Sequence, residues 1–132
     1  MTDYLVCRTR EFPIQLAISE EEQKQGLMWK LAPQPMAFPS KSSGVRKFWM
    51  KNTPAPLDII FCHSNQIVEI VRGEPLSLDL VGPDAPTDLV VELPAGMARQ
   101  CQLEVGNFLI IKYSLASLAK LFAEKIRENS GA

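Results

Sequence analysis

The chain has 132 residues, too few for two ordinary domains and enough for one with its own core. Its 46% hydrophobic and 22% charged residues exclude a disordered polymer, and a net charge of −1 argues against a life on nucleic-acid phosphates. Three widely spaced cysteines without a CxxC pair (Cys7, Cys62, Cys101) and a single histidine (His63) argue against a disulfide framework or a zinc site, so three free thiols and no metal or other cofactor are expected. The N-terminus carries Asp3, Arg8 and Arg10 and lacks the apolar core of a signal peptide. No apolar run approaches the roughly 20 residues of a membrane span. The expected location is therefore cytoplasmic, or within a larger particle.

Most of the chain reads as short strands. Tyr4 to Cys7 and Phe12 to Ile18 come first. Ser19 followed by Glu20, Glu21 and Glu22 is a capping box with an acidic first turn, and Gly26 stops the helix it opens. Residues 31–43 hold Pro33, Pro35 and Pro39 and read as loop around an extended piece at Met36 to Phe38. Val45 to Met50, Leu57 to Cys62 and Gln66 to Arg72 are the next strands, the last two joined by a turn at His63-Ser64-Asn65. Gly73 to Thr87 is a loop rich in Gly and Pro. Leu89 to Leu93 is a strand ended by Pro94-Ala95-Gly96, a helical turn is expected at Gly96 to Gln100, and Asn107 to Tyr113 is the last strand. From Ser114 the period changes. Leu115, Leu118, Ala119, Phe122 and Ile126 recur at helical spacing, with Lys120, Glu124, Lys125 and Arg127 between them. An amphipathic helix over 115–127 follows, either packed on its own sheet or docking to another chain.

The chemistry-bearing stretch is Phe48-Trp49-Met50-Lys51-Asn52-Thr53 followed by Pro54, Pro56, Leu57 and Asp58. Two prolines hold the loop extended. If the flanking strands form a hairpin, Lys51 faces Asp58 across it, while Trp49 and Lys51 share the face opposite Phe48 and Met50. An aromatic platform beside a few convergent polar groups suits ligand recognition. Trp49, Lys51, Asn52, Thr53 and Asp58, joined by Glu92, are the candidate binding residues. The plainer reading is a hairpin whose polar residues satisfy their own backbone. Asp58 and Glu92 could also converge as an acid–base pair. Cys62 and His63 are neighbours on a strand and point to opposite faces, so they do not make a dyad. No phosphate-binding glycine motif occurs. Lys47 and Lys51 are too few to support a single-strand nucleic-acid site.

The run Phe48 to Thr53 with Pro56-Leu57-Asp58-Ile59-Ile60-Phe61 resembles the fingerprint of the prokaryotic family called domain of unknown function 192. Glu20-Glu21 through Gly26-Leu27-Met28, Glu92-Leu93-Pro94-Ala95-Gly96 and Leu103 to Phe108 resemble its other blocks. Trp29 stands where the family usually has a basic residue, and the helix after Tyr113 lies beyond the family core. The resemblance implies an all-β, jelly-roll-like antiparallel sandwich or barrel with a short helix near 20–26, and it supplies no catalytic residues. The expected division is a β domain over 1–113 and a helix and tail over 114–132. The expected function is a non-catalytic recognition module for a small ligand or protein. The alternatives are a structural or assembly subunit of a larger particle, such as a viral one, and, more remotely, a hydrolase using Asp58 and Glu92. No membrane partner is expected.

Overall fold

A computed structural model describes residues 1–129; the last three residues of the expected tail, 130–132, lie outside them. The protein is mainly β. In chain order the elements are β1 (Asp3–Cys7), β2 (Arg10–Leu16), α1 (Glu20–Gln25), β3 (Met36–Gly44), β4 (Leu57–His63), β5 (Gln66–Gly73), β6 (Thr87–Pro94), α2 (Met97–Gln100), β7 (Ile111–Lys112) and α3 (Leu115–Asn129). The strands form one sheet in the order β5-β4-β6-β3-β2-β1-β7. It is mixed rather than wholly antiparallel, because Gln15 and Leu16 of β2 run parallel to Met36 and Ala37 of β3. The expected mainly β class holds, and the strands make a single, unclosed sheet. An isolated antiparallel bridge, Gln66 to Phe108, links the start of β5 to the approach to β7.

The middle of the sheet explains its sequence. All but the last residue of β4 and nearly all of β6 are buried, since both strands are covered on both faces. One face carries Leu5, Ile14, Ala37, Ile60, Cys62, Ile67, Val91 and Leu93. The other carries Phe38, Leu57, Ile59, Phe61 and Val90, and is roofed by Leu27 after α1 and by Met50 and Phe48 from the loop region.

Two local expectations need correction. Residues 45–50 form no strand beyond an isolated bridge from Phe48 to Val81, and β4 pairs instead with β5 and β6. The hairpin that set Lys51 against Asp58 therefore does not form. In its place β3 runs nine residues, through Pro39, with a register shift between Pro39 and Gly44 where proline removes a ladder donor. The expected strand over 107–113 shrinks to two residues, because Asn107 and Leu109 instead bond to Ile67 and Asn65 of the β4–β5 hairpin region.

The thiols are also not all free. Cys7 at the end of β1 and Cys101 at the end of α2 form a disulfide across 94 residues of sequence, and Cys62 is the free cysteine. Their spacing gave no hint of this, since the sheet order rather than chain distance brings β1 and α2 together. Cys62 is buried, and burial followed by the nearby Asp88 charge pushes its thiol up to about 12, so it is inert at neutral pH.

Candidate functional site

The segment 48–53 lies flat across one face of the sheet. Phe48 sits edge-on to both Phe38 and Phe61, with ring centroids 5.2 and 5.8 Å apart. Met50 is buried against Gly73, where an added Cβ would stand 2.6 Å from its sulfur. These two anchors turn Trp49 and Lys51 outward, as strand-like alternation requires. The Lys51 ammonium lies 5.2 Å from the centre of the Trp49 ring, a cation–π contact on an exposed surface.

Main-chain hydrogen bonds sew this segment to two neighbouring loops. The Phe48 amide donates to the Val81 carbonyl at 2.9 Å, and the Val81 amide returns a bond to Phe48 at 2.8 Å. Met50 donates to Ser77, Leu76 donates to Thr53, and Trp29 donates to Asn52 at 2.8 Å. Thr53 is buried, and its hydroxyl donates to the Lys51 carbonyl at 3.1 Å. Asn52 gives the surface its backbone carbonyl and its bend.

Three non-glycine residues on these loops adopt positive φ: Trp29 at 65°, Asn52 at 56° and Leu76 at 65°. Asparagine tolerates this conformation; bulky Trp and Leu do so at a cost. Strain of this kind persists where the surroundings over-determine it. Here the Trp29–Asn52 and Leu76–Thr53 bonds do so. The strained residues end up exposed, together with Trp49, Leu31, Leu78 and Leu80. Three loops tied by these backbone bonds thus each expose large apolar side chains, with Lys51 stacked on one of them, Trp49. Trp49 and Lys51 stand out in the sequence, whereas Leu76, Leu78 and Leu80 do not. Their alternation in Leu-Ser-Leu-Asp-Leu was the available signal, masked by the Gly and Pro residues around it.

The two carboxylates lie elsewhere and apart. Asp58 pairs across β4 and β6 with Leu93, whereas Glu92 pairs with Ile59, so the two side chains project to opposite faces of the sheet. They form no acid–base pair. Asp58 is buried and fully engaged: one oxygen accepts from the amides of Gly96 and Ala98 at 2.9 and 3.0 Å, and the other from Arg72 Nε at 3.0 Å. It pins the turn that leads into α2, which accounts for the Pro-Leu-Asp and Pro-Ala-Gly blocks in one stroke. Glu92 is buried on the face of Val90 and Ile59, and burial pushes its carboxyl up to about 7.

Two cavities are lined by other residues. One of about 610 Å³ is bordered by β2, by Glu22, Gln25 and Gly26, and by Lys30 and Gln34. One of about 280 Å³ lies beside the disulfide, against Arg8, Thr9, Arg10 and Gln100. Among the described residues no three His, Cys, Asp or Glu side chains gather as a metal site, and no helix is long and apolar enough to cross a membrane.

The model of the family DUF192 (Uncharacterized ACR, COG1430) matches residues 5–111. The chain belongs to this family. Two solved structures share the fold. A candidate transcription regulator from Sinorhizobium meliloti 1021 is 27% identical with a TM-score of 0.74, over 82% of this chain and 90% of that one. A protein of unknown function from Novosphingobium aromaticivorans DSM 12444 is 25% identical with a TM-score of 0.72, over 86% and 84%. No curated protein is a significant match. In this DUF192 member α3 lies wholly beyond the family match.

Proposed function

We propose that this DUF192 protein is a non-catalytic recognition module, and that its binding face is the three-loop surface of Trp29, Trp49, Lys51, Leu76, Leu78 and Leu80. The supporting observation is that bulky Trp29 and Leu76 are held at positive φ by bonds to segment 48–53 and yet are left exposed. A strained loop that buried its large side chain would need no partner; one that exposes it gains from covering it. The surface is broad and apolar with a cation at its edge, which suits a protein segment better than a small polar molecule. Asn52 and Thr53 shape it from beneath, and Asp58 and Glu92 support the sheet behind it.

The nucleic-acid role suggested by the name of the Sinorhizobium relative has less support, because the net charge is −1 and the exposed surface here is apolar. The disulfide favours an oxidising compartment over the cytoplasm. We also read the Gln66–Phe108 bridge as the sheet curling toward a barrel. The test is affinity capture by the wild type and by a Trp29→Ala, Trp49→Ala variant, with bound proteins identified by mass spectrometry. A partner held by the wild type and lost by an equally stable variant supports the reading. Identical capture by both, or a variant that unfolds, overturns it.

A further inference from the structure

The Cys7–Cys101 disulfide borders a cavity whose charge is one-sided. Cys7 ends β1 and Arg10 opens β2, and the two are direct partners in the antiparallel register. Directly opposed residues project to the same face, so the Arg10 side chain starts beside that of Cys7. Phe12, two residues further along β2, shares this face, and the Arg10 guanidinium rests over its ring at 4.9 Å from the centroid. Arg8 and Thr9 make the two-residue turn between the strands. Arg8 takes φ 60° at the first turn position, where glycine is the usual residue. A large side chain kept there carries a backbone cost, and what it adds is a second cation next to Cys7. Both arginines, with Gln100 from α2, line the cavity of about 280 Å³. Among the described residues no carboxylate lines it. The neighbouring one, Glu11, belongs to the opposite face with Val6, and it is bonded to Lys112 at 2.7 Å. Cys7 and Cys101 are only 6% and 4% exposed, and both are part of the cavity wall.

We propose that this cavity is a docking site for a small anionic thiol, which opens the disulfide by exchange and becomes joined to Cys101. The walls choose the ligand. Two guanidiniums without a carboxylate favour an acidic group, whose oxygens they meet with paired donors. The volume admits a small molecule and is too small for the thiol-bearing surface of a folded protein. The disulfide in the wall gives a thiolate something to react with. In the first step the thiolate attacks Cys101 Sγ. A new S–S bond forms, the Cys7–Cys101 bond breaks, and Cys7 leaves as a thiolate. Cys7 is the leaving group because Arg10 lies across from it and Arg8 follows it, and adjacent cations stabilise a thiolate. The acidic group of the adduct stays with the same arginines. A second thiolate attacking the adduct's own sulfur releases Cys101 as a thiolate and carries away a symmetrical disulfide. Two small thiols are then oxidised and the protein has gained two electrons. Cys62 takes no part, because it is buried and its thiol is pushed up to about 12.

This site stands apart from the three-loop surface, so either can fail alone. The test treats the folded, oxidised chain with 3-mercaptopropionate, 2-mercaptoethanol or cysteamine, which are anionic, neutral and cationic. Opening is followed by intact mass after acid quench and alkylation. Each rate is divided by that of the same reagent with 2-hydroxyethyl disulfide, which removes the reagent's own nucleophilicity. The relative rate of the anionic thiol should exceed that of the cationic one by about tenfold, with the neutral thiol between them. The Arg8→Gly, Arg10→Gln variant should bring this ratio to about one and keep its melting temperature, since glycine suits the turn. If that variant unfolds, Arg8→Gly alone should cut the ratio about threefold. An unchanged ratio in the folded variant overturns the proposal. Equal relative rates for the three thiols on the wild type do so too, as does a disulfide that opens only in the denatured chain. Peptide mapping after the first step should find the adduct on Cys101 and the alkyl group on Cys7; the reverse placement overturns the assignment.

Discussion

Glu92 is the residue whose chemistry departs furthest from its ordinary behaviour among the carboxylates described. Its folded carboxyl titrates near 7 because burial penalises the charged form, against 4.5 for the free group. Between these values the folded state holds a proton that the unfolded state has released. Unfolding therefore becomes easier as pH rises from about 4.5 to about 7, by up to about 3 kcal/mol, and the effect is complete above that window. Glu92→Gln should flatten this dependence and be the more stable protein at pH 8, which urea melts at pH 5 and pH 8 will read directly. Asp58 is a buried carboxylate met by two amides and a guanidinium. The identity of both residues was visible in the sequence, but their roles were not. The partners of Asp58 lie 14 to 40 residues away, and only the pairing of β4 with both β5 and β6 assembles them. The capping box at Ser19 and Glu22 was legible because all its bonds span three or four residues.

At the scale of elements, β4, β5 and β6 could be read from their apolar runs and the Ser64-Asn65 turn, where both residues take positive φ as a tight hairpin requires. Residues 45–50 alternate like a strand and are not one. The alternation is real, since Phe48 and Met50 face the core, but the backbone bonds go to Val81 and Ser77 in a loop and not to a strand. Periodicity reports which side is buried and is silent about what supplies the hydrogen bonds. The disulfide joins two elements no local pattern connects. Thiol titration of the denatured, unreduced protein should find one free group, Cys62, and three after reduction. Closing so long a loop restricts the unfolded chain, so reduction should lower stability by about 5 kcal/mol on the loop-entropy view. Unchanged denaturant midpoints with and without reductant would contradict that.

For the whole molecule, the family core and the added helix are separable in their energetics. The large apolar residues of α3 are exposed, so they contribute little to the fold of a single copy. Truncation after Tyr113, measured at low concentration, should therefore lower the melting temperature by less than about 5 °C. A larger fall would show that the Asp3 bonds to Ser114 and Ser117 stabilise the sheet. The amphipathic period of α3 was plain in the sequence. The side it turns to the sheet was not, because that depends on Ser114 and Ser117 finding Asp3 from the far end of the chain.

The bridge from Cys7 to Cys101 encloses the exposed loop carrying Leu76, Leu78 and Leu80. A protease that cuts there severs the backbone without releasing either piece. The nicked protein would run at full mass on a gel without reductant and fall into two bands with it. Damage to the proposed binding face would thus leave a molecule still joined end to end, its sheet strands kept close enough to re-pair.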